Sequence, residues 1–256
     1  MASNVKECKS WGIIGCGWLG QAAARSILAA GGNVWGTGRT PRRLKEIEAA
    51  GAVPIALDLA SSAQGEDAVP SCDALLIALP PSACVHPMAV QRLRATMQKA
   101  NWSVVISSTS VYSTDPGTYT EADAVRRISP HSGICVLDVE RALDMPHTSF
   151  LRAGGLIGPK RPLFRPSAST LNDHKVLNVV HQEDVVRAVI HLAKIRCEGA
   201  TNILCPVPRT RGECRSGKPA KAAHQPDARS ISVDRLLQSG FSFGHPDPLS
   251  MANLHA

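Results

Sequence analysis

The chain has 256 residues, 44% hydrophobic and 19% charged, enough to bury the core of one large α/β domain, alone or with a small appendage. Its formal charge of +7 favours phosphate-bearing ligands, but aromatics make up only 4% and do not interleave with the basic residues. The stacking platforms of a nucleic-acid binder are therefore missing, and no nucleic-acid partner is expected. MASNVKECKS lacks an apolar signal core, no 18-residue apolar run occurs, and the eight cysteines contain no C-x-x-C pair. These features point to a reduced, cytoplasmic setting without a membrane span.

In chain order, the apolar run Trp11 to Ile14 leads into glycine, and Trp18 to Ala30 reads as a helix stopped by Gly31-Gly32. Asn33 to Thr37 is the next expected strand, followed by a helix from Pro41 to Ala50 with proline at its start. Strands are expected at Ala52 to Ile55 and Ala74 to Ala78, the second closed by Pro80-Pro81. A helix over Pro87 to Ala100 and a strand at Ser103 to Ile106 complete the first half. This alternation with uniformly apolar strands predicts an α/β fold, a Rossmann-type doubly wound parallel sheet with helices on both faces.

Further on, Tyr112 to Pro130 reads as a polar loop, Gly133 to Leu143 as a helix, Thr148 to Arg152 as a strand and Glu183 to Ile195 as a helix. Asn202 to Leu204 fits a last core strand. Arg209 to Arg229 is basic, rich in Gly, Pro and Ala, and reads as a mobile surface segment. The expected organisation is a dinucleotide-binding domain over 1–208 with substrate-side insertions near 153–181. A basic flexible segment over 209–230 and a small C-terminal substrate-side region over 231–256 follow.

The run Ile14-Gly15-Cys16-Gly17-Trp18-Leu19-Gly20 is a G-x-G-x-x-G motif following a strand and opening a helix. In that context Gly15 permits the tight turn, Gly17 lets backbone approach a pyrophosphate, and Gly20 lets the helix pack on the strand. The phosphates would meet the helix N-terminus. An NAD site usually places a carboxylate at the end of the second strand. Here Gly38-Arg39-Thr40-Pro41-Arg42-Arg43 stands there instead, so the cofactor expected is NADP in preference to NAD. Arg39 leads, with Arg43 beside it, as partner of a 2′-phosphate. Asp58 could accept a hydrogen bond from the adenine amino group or merely cap a turn, and Trp18, Leu19, Leu59 and Pro80 complete the expected cofactor-binding set. The nine histidines and eight cysteines show no ligand-like spacing, so no metal is expected.

Four segments resemble an atypical branch of the extended short-chain dehydrogenase/reductase superfamily, the NAD-dependent epimerase/dehydratase group. They are the glycine loop, Ser107 to Tyr112, Leu151 to Pro159, and Asn178 to Val185. Ile231 to Leu249 also resembles the end of that branch. The resemblance implies a nicotinamide cofactor, a small-molecule substrate and a monomer or homodimer. It implies that Ser108 hydrogen-bonds a substrate oxygen, against the alternative of a strand-end serine that satisfies loop backbone, and that His181 lines the substrate pocket; Asp184 reads as the cap of the following helix. It also places Ser132 and Val136 where the family carries its Tyr and Lys, so the usual catalytic pair is absent. Tyr112, His131 and His181 are the substitute proton donors available, and Ser108, Tyr112 and His131 are the catalytic residues expected. Two readings follow: an NADP-dependent oxidoreductase or epimerase-like enzyme, or a non-catalytic NADP-binding redox-sensing or regulatory protein. A third, a shortened family member that retains cofactor binding, rests on the weak 209–229 segment.

Overall fold

The computed structural model describes residues 8–61, 69–164, 173–219 and 229–252. The apolar runs of the first half form strands β1 (Ser10–Ile14), β2 (Asn33–Gly38), β3 (Val53–Ala56), β4 (Cys72–Ile77) and β5 (Ala100–Ser108). Helices α1 (Trp18–Ala29), α2 (Pro41–Ala49) and α3 (Pro87–Gln98) alternate with them. Local chemistry sets the boundaries. The Thr40 hydroxyl accepts the Arg43 N–H and Pro41 stands in the first turn of α2, while Gly31 takes φ 83° just beyond α1.

Two further strands, β7 (Thr148–Ala153) and β10 (Gly199–Ile203), complete a seven-stranded sheet of order β10-β7-β5-β4-β1-β2-β3. Pairing is parallel from β3 through β2, β1 and β4 to β5. This is the expected Rossmann-type sheet. Its chain order reverses at β1, between β2 and β4, and such a switch point leaves a crevice beyond the carboxyl ends of the strands.

By contact, the chain divides into two compact units, residues 1–107, 126–151 and 189–200, and residues 108–125, 152–188 and 201–256. This division follows packing rather than the chain-order boundaries at 208 and 230 read from composition. In the first unit Leu75, Ile77, Leu93 and Leu143 are fully buried in an aliphatic core, as a chain poor in aromatics requires. The buried Trp102 indole N–H donates to Ser149 Oγ at 2.9 Å, so its one polar atom is satisfied.

The second unit holds two small parallel pairs that the sequence reading did not anticipate, β6 (Gly117–Tyr119) with β11 (Arg229–Ile231) and β8 (Gly155–Ile157) with β9 (Val179–His181). β6 lies inside the stretch expected to be a polar loop. The basic stretch from Arg209 also departs from expectation, since it contains α6 (Arg211–Ser216). A capping box between Thr210 and Glu213 starts this helix, and Gly217 in the left-handed region ends it. Arg209 chelates Asp247 at 2.7–3.1 Å, and Arg215 reaches Asp173 at 3.3 Å. The anchors are ion pairs and a cap rather than apolar side chains, which is why a hydrophobic count missed them. Residues 220–228 of the same expected segment lie outside the described residues. Among those described, no helix is long and apolar enough to cross a membrane.

The carboxylate of Asp73 ties the amino-terminal ends of the neighbouring strands β1 and β4 together, accepting the Lys9 and Ser10 N–H groups at 3.0 and 2.9 Å and the Ser10 hydroxyl at 2.8 Å. These hydrogen bonds, led by the Ser10 N–H, hold its pKa below the usual carboxylate range. Asp73→Asn should therefore destabilise the chain by about 1 kcal/mol at pH 7, allowing for partial exposure. Because the folded-state pKa is the lower one, the deficit is full above the ordinary aspartate pKa of about 3.9 and fades as pH falls below it. Denaturant melts of both proteins across pH 3–7 check this.

Candidate functional site

The crevice predicted by the strand order is present in the first unit as a cleft of about 560 Å³. Its floor is the turn between β1 and α1. Gly15 takes φ 80°, and a Cβ there would lie 2.7 Å from Leu79 Cδ2 and 2.9 Å from the Ala78 carbonyl oxygen. Its N–H donates to the buried Thr37 hydroxyl at 3.0 Å, and the Cys16 N–H donates to the Thr37 carbonyl at 3.1 Å, fastening the turn to β2. A Cβ on Gly17 would find only the Gly15 carbonyl, at 3.9 Å, so this backbone faces open space. A Cβ on Gly20 would press within 3.0 Å of both Gly15 O and Ile13 Cγ2. Turn, open cradle and close packing are the three glycine roles read from the motif. Gly17 caps α1 without a side-chain hydrogen bond, and no acidic residue stands in the first turn, which suits an anion.

Of the expected cofactor residues, Gly15, Gly17, Arg39, Arg43, Asp58, Leu59 and Pro80 line this one cleft. Trp18, Leu19 and Gly20 belong to the first turn of α1 and do not line it. The arginines divide by partner. Arg42 and Arg43 both reach the Glu46 carboxylate, at 3.0 and 2.5 Å, and Arg42 is the main cause of its lowered pKa. Arg39 lines the cleft with no ion pair among the described residues, so its charge is uncompensated there. The Asp58 side chain accepts the Ala60 N–H at 3.1 Å, the turn-capping alternative, and Asp58 also lines the cleft.

Thr37, Ser82 and His86 also line the cleft and were not singled out from sequence. Thr37 is the penultimate residue of β2, and Ser82 and His86 follow the proline breaker after β4, positions where a switch point places ligand contacts. Cys16 lies in the turn itself, and burial pushes its thiol up to about 11, which keeps it protonated.

The expected catalytic residues are not brought into this cleft. His131, in the first unit, is exposed, and its backbone N–H donates to Ser129 Oγ at 3.3 Å. Ser108, in the second unit, accepts the Ser110 N–H at 3.1 Å and so caps the turn after β5. Tyr112 is fully buried; its hydroxyl donates to Asn202 Oδ1 at 2.6 Å and accepts from Arg152 at 3.0 Å. Arg152 also donates to the Glu121 carbonyl at 2.8 Å. Burial raises the Tyr112 pKa, and the adjacent guanidinium only partly offsets this. The expectation of Tyr112 as a proton donor is therefore corrected: its hydroxyl is a structural node of the second unit. The expectation that Asp184 caps a helix is corrected too. In α5 (Gln182–Ile195) its buried carboxylate accepts the Gly244 and His245 N–H groups at 2.6 and 2.8 Å, binding the distant tail.

The family described as "NADP oxidoreductase coenzyme F420-dependent" matches residues 10–110, the segment that carries the cleft. Protein YeeZ of Escherichia coli K12 is 30% identical over 95% of this chain and 98% of its own length. Among solved structures, a functionally unknown conserved protein from Silicibacter pomeroyi superposes with a TM-score of 0.74 at 19% identity, covering 95% of this chain and 96% of that one. The Bordetella bronchiseptica enzyme WbmG, solved in complex with NAD, gives 0.74 at 13% identity over 99% and 95% of the two chains. At these identities the structural likeness speaks for the fold.

The two glycines of the turn should respond oppositely to substitution. Gly15→Ala meets both positive φ and backbone crowding and should cost about 1–3 kcal/mol, lowering Tm by several degrees. Gly17→Ala should leave Tm within about a degree, since nothing opposes its methyl group. Thermal melts of the two variants decide it.

Proposed function

The chain belongs to the family of Protein YeeZ, and from that footing we propose that it is an NADP-preferring oxidoreductase or epimerase-like enzyme acting on a small molecule. The observation that carries this reading is the single uncompensated guanidinium of Arg39 in the cleft, at the strand end where an NAD site would place a carboxylate. The cleft residues fit the group. The Gly15–Gly17 turn and the start of α1 would hold the pyrophosphate, Arg39 with Arg43 the 2′-phosphate, and Asp58 the adenine amino group, with Leu59 and Pro80 as apolar walls. When bound, such a dinucleotide supplies or accepts a hydride. On this reading Ser108 is the residue proposed to bind a substrate oxygen, and His131, by itself, the residue proposed to exchange a proton.

A second reading, a dinucleotide-binding regulator without turnover, is favoured by one feature. At the positions where the resemblance puts the catalytic Tyr and Lys stand Ser132, whose buried hydroxyl has no hydrogen-bond partner among the described residues, and the buried Val136. Neither exchanges a proton near neutral pH.

Calorimetric titration with NADPH and NADH tests the cofactor assignment. NADPH should bind more tightly, and Arg39→Ala should weaken NADPH roughly tenfold while leaving NADH within about twofold, the lower end of the charge-assisted range for an exposed site. Equal loss for both nucleotides would overturn the 2′-phosphate role. A screen of carbonyl and imine substrates with bound NADPH then separates the readings: turnover that falls in Ser108→Ala or His131→Ala supports the enzyme, and tight binding without turnover supports the regulator.

A further inference from the structure

Outside the cleft, the second unit gathers two imidazoles and a carboxylate. His181 ends β9, Glu183 lies in the first turn of α5, and His245 lies in the tail 62 residues beyond Glu183. One donor atom from each lies within 4.8 Å of the other two. His245 Nε2 stands 3.0 Å from a Glu183 carboxylate oxygen, and His181 Nδ1 stands 3.9 Å from the same oxygen. The two rings are tilted by 47° with centroids 3.9 Å apart. A surface ion pair needs only one of these imidazoles, so convergence of both on one carboxylate calls for another explanation.

We propose that His181, Glu183 and His245 form a binding site for a divalent transition cation, zinc in the first place. The donor set of two imidazoles and a carboxylate suits zinc and its neighbours rather than magnesium or calcium, which take oxygen ligands. Tetrahedral zinc with bonds of about 2.0–2.1 Å separates its ligands by roughly 3.3–3.4 Å, and the 3.0 and 3.9 Å separations bracket that edge. Small rotations of the exposed Glu183 and half-buried His245 close the set.

His181 Nδ1 accepts the Glu183 N–H at 3.3 Å and His245 Nε2 lies 3.0 Å from the Glu183 carboxylate, and a cation would replace both contacts, with release of any proton they hold. The positions are fixed from behind. Asp184, fully buried, holds the backbone of Gly244 and His245, and the Cys205 thiol donates to the His245 carbonyl at 3.4 Å. His181 is 1% exposed while the Glu183 side chain is 70% exposed, so the site is enclosed on one side and open on the other. The bound cation would join the β9–α5 corner to the tail and keep a fourth position for water or a ligand oxygen.

The test titrates the chelator-treated 256-residue chain with Co²⁺ alone and then with Zn²⁺. One Co²⁺ per chain is expected, with visible ligand-field absorption that Zn²⁺ displaces and without the near-ultraviolet charge transfer of a thiolate ligand. Glu183→Gln and His245→Ala should each weaken binding by more than about tenfold, since even outer-sphere changes at metal sites cost that much. The exposed His174→Ala serves as control and should bind as wild type. Glu183→Gln alters an exposed side chain and carries the test even where His245→Ala fails to fold. NADPH affinity of Glu183→Gln should equal that of wild type, which separates this site from the cofactor reading. Wild-type binding no tighter than that of Glu183→Gln, or a thiolate band, would overturn the proposal.

Discussion

The close approach of β1, β4 and α1 around Gly15 is the constraint on which the rest of the cleft depends. The backbone turns there at φ 80° with the Ala78 carbonyl and the Leu79 side chain filling the space a Cβ would need. Only glycine meets both conditions. The Thr37 hydroxyl and carbonyl then hold the turn against β2, so one threonine relates the loop to the strand whose end carries Arg39. With the turn fixed, α1 starts just after Gly17 with no side-chain cap on its first N–H groups, and a concave floor results.

Charge is unevenly placed around that floor. The Arg42 and Arg43 guanidiniums share the Glu46 carboxylate, while Arg39 has no ion pair among the described residues. The proposed NADP preference rests on that difference, since a guanidinium beside an open backbone cradle would suit a 2′-phosphate by Coulomb attraction and forked hydrogen bonds. In the second unit, polar groups are spent on architecture. Tyr112, Arg152 and Asn202 satisfy one another in the interior, and Asp184 binds a chain segment 60 residues away. Such buried networks hold position because leaving any member unpaired is costly.

The first half of the fold was legible because its signals are local. Apolar runs, helix caps and the glycine spacing each act within a few residues, and β1 through α3 fall where they were expected, with no end shifted by more than two positions. The cleft residues Gly15, Gly17, Arg39 and Asp58 were legible for the same reason: a motif and a strand end name them. Tyr112, Asp184 and the basic stretch were misread because their partners are distant in sequence. Nothing near Tyr112 announces Asn202, nothing near Asp184 announces Gly244, and Arg209 finds Asp247 only once the tail has folded back. The His181, Glu183 and His245 cluster escaped a search for ligand spacing in the same way, since its third member arrives through tertiary structure.

The most direct test of the central claim is a crystal structure of the chain with NADPH. The account predicts pyrophosphate density on the Gly15–Gly17 turn and the 2′-phosphate within hydrogen-bond distance of the Arg39 guanidinium. A nucleotide bound elsewhere, or bound in the cleft with its 2′-phosphate turned to solvent and Arg39 disengaged, would contradict it.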